Sequence, residues 1–361
     1  MLARIEEINK QLEKNEEKVV LASQDVVGLY PNLSITEAAA EVGRAVEESS
    51  IEFKNVDMEW VVKTIAMGST ETELVEWGII DLIPKRRYVG GSRPGLSSDE
   101  AFVSKSEYKE EKSKWDMVKR LFSNEERKKL LGKMFQIGVR ECFRNHVYKF
   151  NRKYYVQREG GAIGLRLTGV VAEISMAAWE KRFRNLVERS NVDLLMSEIY
   201  VDDQNIVYKM FKKGTRWNGE VLSWNREWEE EDVTKDEADD KRCTREMKKL
   251  GNSIREDIVM EEDVGSNYTD GKLPMLDMKV WLEEYTNEEG FGRQRITTEF
   301  YEKSMVGDRM LMEMSALPRK VKITSLSQMV LRRCTNHVGR MSRDLKVPHL
   351  SKLMFKMKKS G

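Results

Sequence analysis

The chain has 361 residues, enough for two or three packed units with a sizeable core, and it carries 40% apolar residues, 34% charged residues and a net charge of +1. Such a composition suits long solvated surfaces, and no run approaches the roughly 18 apolar residues that a membrane span needs. The acidic amphipathic start MLARIEEINK does not read as a signal peptide, and the widely spaced Cys142, Cys243 and Cys334 read as reduced thiols of an intracellular protein.

In chain order, residues 3–17 read as a charged helix and KVVLASQDVV, 18–27, as a strand. Pro31 and Asn32 predict a turn. Ser34 with Glu37 predicts a capping box for a helix running to about residue 49. A second helix is expected over 58–65. PKRRYVGGSRPGL, from Pro84, reads as a long basic loop, and residues 107–145 return to helix. HVYKFNRKYYVQ reads as a strand or hairpin, EGGAIG as a turn, and 167–187 as a helix. WNGEVLSWNREW predicts a small aromatic hairpin with Asn218-Gly219 at its turn. A helix over about 238–256 and a hairpin over 275–300 complete the pattern.

Charge is uneven along this order. Residues 220–240 hold 10 acids against 2 bases; residues 303–361 hold 14 Lys/Arg against 3 Asp/Glu. A basic tail attracts phosphate, although it can also be a plain solvated face. In ITSLSQMVLRRC, Leu326, Val330 and Leu331 are spaced for an inward helix side, with Arg332 and Arg333 opposite. Cys334 and His337 form one Cys-x-x-His pair without a second, too little for a zinc site.

The stretch SEIYVDDQNIVYKMF, 197–211, sets Asp202 and Asp203 inside residues that favour a buried strand. Two unpaired buried carboxylates would cost several kcal/mol each, about what a cation or a solvated turn must offset. The pair can begin a turn in water, or be a surface feature of no consequence. Asp25 ends the first strand just before another turn. Between the two acid segments lies a Gly-rich turn opening a helix. Three acids converging at strand ends would bind divalent metal through oxygen. Two metals about 4 Å apart activate a hydroxyl and stabilise a leaving oxygen in phosphoryl transfer.

Taken together, these segments resemble the palm of a reverse transcriptase. SQDVVGLYPNLS resembles the motif with the first catalytic aspartate, Asp25. QREGGAIGLRLTGVVAEISMAAW resembles the glycine turn and helix facing the nascent base pair. IYVDDQNIV matches the Tyr-x-Asp-Asp hairpin, and LPMLDMKVW, 273–281, resembles a segment of Penelope-like enzymes. The matches cover roughly 18–301. The resemblance implies that Asp25, Asp202 and Asp203 are the catalytic metal ligands, holding two Mg2+, with Mn2+ as the alternative ion. It implies Tyr30 as the aromatic under the sugar, unless it is a core aromatic beside Pro31. Gln157 would lie near the nucleotide or template, unless it is a solvated strand residue. Gly160, Gly161 and Gly164 would let backbone approach a base pair, unless they make an ordinary tight turn. Asp277 reads as structural. Leu165-Arg166 and Thr168-Gly169 stand where the family has Ser-Pro pairs.

The expected fold class is therefore α+β: an antiparallel palm sheet with helices on one face, a helical insertion and a thumb-like C-terminal segment. The expected segments are 1–78 and 141–301 for the palm, 79–140 for the insertion and 302–361 for the basic thumb. The expected activity is RNA-directed DNA polymerase, with an RNA or DNA template–primer and dNTPs as partners and no membrane. Arg319, Lys320, Lys322, Arg332 and Arg333 would grip nucleic acid. Only 24 residues precede Asp25, so the upstream fingers region of the family is expected to be missing, with Lys85, Arg86, Arg87 and Arg93 as substitutes. The alternatives are a palm remnant that only binds nucleic acid, and an unrelated α+β interaction protein.

Overall fold

The computed structural model of the chain describes residues 1–14, 16–79, 122–301 and 319–335, with 351, 354 and 355. The basic loop after Pro84, with Lys85, Arg86, Arg87 and Arg93, lies outside the described residues. In chain order the elements are helix α1 (Leu2–Leu12), strand β1 (Val19–Val26), and helices α2 (Leu29–Asn32), α3 (Ile35–Glu48), α4 (Met58–Gly68), α5 (Glu71–Glu76) and α6 (Asn124–Arg144). Strands β2 (Val147–Phe150) and β3 (Lys153–Val156) precede helix α7 (Arg166–Arg189). Then come β4 (Leu194–Tyr200), β5 (Asp203–Lys209), β6 (Thr215–Trp217), β7 (Leu222–Trp224), α8 (Arg226–Thr234) and α9 (Asp239–Asn252). Strands β8 (Met260–Val264), β9 (Leu273–Met275), β10 (Met278–Thr286) and β11 (Gly292–Phe300) lead to α10 (Arg319–Thr335). The chain is thus α+β, with helices and antiparallel sheets. No described helix is long and apolar enough to cross a membrane.

Two units emerge: Met1–Val27 with Trp179–Gly361, and Gly28–Ala178. These bounds differ from the expected segments, because α3 and α4 pack on α6, which the sequence reading had placed in a separate insertion.

The first unit is built on an antiparallel sheet of order β4-β5-β1-β8. Successive side chains of a strand point to opposite faces. Val19 and Leu21 of β1, with Val207 and Met196, therefore join one core with Ile5, Ile8 and Leu12 of α1 and with Leu273, Met275, Val280 and Ile296 of the second sheet. That sheet has the order β11-β10-β9. Each such side chain contributes roughly 1.5–3 kcal/mol on full burial. Asn9 fastens α1 to β11: its amide accepts from Ile296 N at 2.7 Å and donates to Ile296 O at 2.9 Å. The opposite face of β1 takes α9, where the Tyr208 and Thr244 hydroxyls share a hydrogen bond of 3.0 Å. Both faces of β1 are thus covered, which is why VVLA is an unbroken apolar run.

The acidic stretch forms α8, which has no apolar stripe of its own. Its Asp232 is buried and accepts from Gly214 N and from the Arg216 guanidinium, both at 2.9 Å. The β6–β7 hairpin turns through Asn218, whose side chain accepts from Glu220 N and Val221 N.

The second unit packs α3 and α4 against α6 around Met58, Val61, Val62, Ile65, Leu130, Leu131 and Ile137. A Cβ on Gly132 would lie 2.7 Å from the Gly43 carbonyl oxygen, so α3 and α6 meet backbone to backbone. Ser34 caps α3, accepting from Glu37 N. Reciprocal capping boxes close α5, through Thr70 and Glu73, and α6, through Ser123 and Glu126. Pro31 and Asn32 lie in the short helix α2 rather than in a bare turn.

In α10, Val330 and Leu331 are exposed, 38% and 52%, instead of packing inward as expected. Lys320 is exposed. Arg319, Lys322, Arg332 and Arg333 belong to the same helix, and their side chains, like that of Leu326, lie outside the described residues.

Candidate metal centre

The three acids come together at one end of the four-stranded sheet. Asp25 in β1 is the register partner of Asp203, the first residue of β5. Asp203 in turn pairs with Tyr200, so Val201 and Asp202 form the two-residue turn between β4 and β5. Val26 N donates to Asp202 O at 3.2 Å and ties that turn to β1. One carboxylate oxygen from each of Asp25, Asp202 and Asp203 lies within 4.8 Å of the others. Asp25 is exposed, and Asp202 and Asp203 are half-buried. An all-carboxylate donor set open to solvent fits a hard divalent cation that keeps water or phosphate in its remaining positions. Magnesium matches that chemistry, and among the described residues the cluster holds carboxylates alone, without a nitrogen or sulfur donor to favour zinc.

Local backbone sets the turn. Val201 has φ 62°, a left-handed conformation that is a genuine outlier for a β-branched residue. Such strain persists only where the surroundings over-determine it, and it concentrates at functional sites. Register adds a fourth member to the row, since exposed Glu261 of β8 stands opposite Asp25. Tyr200, Asp203, Asp25 and Glu261 thus run across four strands at the same level.

Beneath the acids, on the other face, Gln24 and Gln204 are partners in register and fully buried. Gln204 Nε2 donates to Ser197 Oγ at 3.1 Å, and Ser197 Oγ donates to Glu180 Oε1 at 2.8 Å. Arg184 closes the chain, donating to the same Glu180 oxygen at 2.7 Å and to Ser197 O at 2.6 Å. Trp179 Nε1 donates to Gly251 O at 3.2 Å and joins α7 to α9 nearby. On the acid face, Ser23 Oγ donates to Asn205 Oδ1 at 3.3 Å one step behind Asp25 and Asp203. Sequence reasoning missed Glu261 and this buried network. The available signal for the network was a glutamine beside an acid in both strands, Gln24 before Asp25 and Gln204 after Asp203, each on the strand side opposite its acid.

The residues expected on the nucleotide side lie in the second unit. Tyr30 is half-buried in α2, and its carbonyl accepts from Gly161 N at 2.7 Å. Gly160 has φ 63°, and a Cβ there would stand 2.2 Å from Pro31 O. The glycine turn is therefore seated directly on the Tyr30–Pro31 backbone. Gly164 has φ 92° and open space around it. Gln157 folds onto its own turn, Nε2 donating to Glu159 O at 3.0 Å. In the first unit, Asp277 sits with Leu276, φ 56°, in the tight turn between β9 and β10, outside the acid cluster.

A groove of about 910 Å3 in the first unit is lined by Arg216, Lys235, Lys241, Arg245 and Lys249. Its cations are largely neutralised: Arg245 pairs with Glu237 and Glu246, and Lys249 with Glu246 at 2.8 Å.

Compared with known proteins, the chain matches no family model, no curated protein and no solved structure.

Proposed function

We propose that the chain is an RNA-directed DNA polymerase whose first unit is a palm. One observation carries the reading: Asp25, Asp202 and Asp203 bring carboxylate oxygens within 4.8 Å of one another at the end of an antiparallel sheet. The sequence resemblance to reverse transcriptases supports it. In this reading the three aspartates hold two Mg2+. Bound there, the ions would lower the pKa of a primer 3′-hydroxyl and offset charge on the phosphate of a dNTP. Asp25 and Asp203 are fixed by strand pairing, and Asp202 by the Val201 turn, so the ligands are preorganised on rigid elements. Within the second unit, Tyr30 and the glycine turn are joined through the Gly161–Tyr30 hydrogen bond, and the resemblance gives them the contact with the nucleotide. Arg319, Lys320, Lys322, Arg332 and Arg333 of α10 would meet template–primer phosphates.

The test is primer extension on an RNA template with the purified chain and Mg2+. Extension that needs Mg2+ and dNTPs, and that Asp202→Asn abolishes, supports the reading. A chain that binds Mn2+ in solution at the aspartates yet extends no primer would be a binding palm without chemistry.

A further inference from the structure

The hairpin β2–β3 is used by none of the chemistry above. All eight of its strand residues are exposed. Its register pairs Val147 with Val156, Tyr148 with Tyr155, Lys149 with Tyr154 and Phe150 with Lys153. Alternation then puts Tyr148, Tyr155, Phe150 and Lys153 on one face, and Val147, Val156, Lys149 and Tyr154 on the other. The Tyr148 and Tyr155 rings stack at 5.4 Å, and Lys149 Nζ lies 5.3 Å from the Tyr154 ring. Phe150 is 69% exposed and Tyr154 72%. A two-stranded ribbon with neither face covered is marginal in water, and apolar exposure of this kind marks an interaction surface.

Charge selects the partner. Between Glu141 and Glu159 the sequence holds Arg144, Lys149, Arg152, Lys153 and Arg158, and no acid. Asn151 and Arg152, at φ 47° and 62°, make the turn and leave Arg152 exposed at the tip. An element that lies in a membrane surface separates its apolar face from its cationic face. Here each face mixes rings with a lysine. Rings that accept any base, interleaved with cations for phosphates, fit an unpaired nucleic-acid strand. A duplex keeps its base faces within its own stack.

We propose that β2–β3 is a stacking ribbon for single-stranded nucleic acid. It takes about two or three unpaired bases on the Tyr148–Tyr155–Phe150 face, with Lys149, Arg152 and Lys153 on the phosphates. The proposal does not need the polymerase reading.

The experiment uses the full chain carrying Asp202→Asn, in EDTA, so that catalysis plays no part. Binding of labelled oligo(U) and oligo(dT) of about 12 nucleotides is followed by anisotropy across salt, with a duplex as competitor. Tyr148→Ala with Tyr155→Ala should weaken single-strand binding by roughly 5- to 150-fold per lost stack and leave the salt slope unchanged. Lys149→Ala, Arg152→Ala and Lys153→Ala together should flatten that slope by up to about 2. Tyr148→Phe with Tyr155→Phe keeps the rings and should bind like the parent. The proposal is overturned if the Phe pair binds as weakly as the Ala pair, if the Ala pair binds like the parent, or if the duplex competes as well as the single strand. Loss of anionic-vesicle binding in the Ala pair, with oligonucleotide binding intact, would assign the ribbon to a membrane surface instead.

Discussion

Asp25 and Asp203 stand directly opposite one another on adjacent antiparallel strands, and Asp202, next in the chain, completes the cluster from the turn. Like charges placed opposite one another across strands oppose folding, by roughly 0.2–1 kcal/mol per pair. Asp25 is exposed and Asp202 and Asp203 are half-buried, so solvent moderates the repulsion.

If the aspartates hold metal as proposed, Asp202→Asn removes one ligand and one charge. Synthesis should fall by at least about a thousandfold, the loss of several kcal/mol of charge stabilisation. Without divalent metal the variant should melt no lower than the parent, and about 1–3 °C higher where repulsion is relieved. Primer extension checks the first, and calorimetry with and without EDTA the second. Lower stability in EDTA would mean that Asp202 holds the turn.

Val201 occupies left-handed backbone that costs a branched residue about 1–2 kcal/mol. Val201→Gly should leave stability equal or higher, since glycine adopts that conformation freely. Extension should nevertheless drop by roughly tenfold as the aspartate between two paired strands gains freedom, about 1.4 kcal/mol of lost orientation. Steady-state kinetics beside a thermal melt separates the two effects.

Glu180 accepts from both Ser197 and Arg184 under the turn. Glu180→Ala leaves those donors without their acceptor and should cost about 1–3 kcal/mol in urea unfolding. Glu180→Gln retains an acceptor and should recover most of it. Equal losses would mean that the charge, and not the acceptor, matters.

Gly160→Ala would drive a Cβ to 2.2 Å from Pro31 O in a backbone already at φ 63°. The expected loss is about 3 kcal/mol, from steric clash and φ strain together. Limited proteolysis should then cut between residues 157 and 166 in the variant and not in the parent.

Burial pushes the Cys243 thiol up to about 12, while Cys142 is exposed. At pH 8 iodoacetamide should alkylate Cys142 within minutes and spare Cys243 until denaturant is added. Peptide mapping by mass spectrometry checks this, and early labelling of Cys243 would mean that α9 opens from the sheet.

Much of this was legible in the sequence because it is local. The run VVLASQDVV reads as a strand from its branched residues; around Asp202 and Asp203 the residues read as a strand with a turn at the acid pair as one alternative, and the hairpin came from the family resemblance. The 275–300 hairpin and the helix over 167–187 were found for the same reason. What was missed depends on distant partners. MEEDV of β8 has two apolar residues among three acids, and only its register with β1 makes it a strand. REWEEEDVT has no apolar stripe, and α8 is held by Asn225 at its start and by the pairing of Asp232 with Arg216. The Gln204–Ser197–Glu180 chain needs the β4–β5 register and the pose of α7 together, and neither is written in any one segment. The inward side expected for Val330 and Leu331 came from spacing alone, which cannot say whether a neighbour exists to cover it.

Strand β1 has its neighbours β5 and β8 about 180 and 235 residues later in the chain. During synthesis, then, β1 emerges long before either of the strands that pair with it. The second unit, Gly28–Ala178, is contiguous and can close first. Contacts so distant in sequence form slowly, because loop closure precedes their reward. Until β5 leaves the ribosome, VVLA is an unpaired apolar strand, the kind of segment that recruits chaperones or aggregates. A chain truncated anywhere between residues 28 and 203 should carry that exposed strand permanently, and expression of such fragments should give insoluble protein unless residues 1–27 are removed with it.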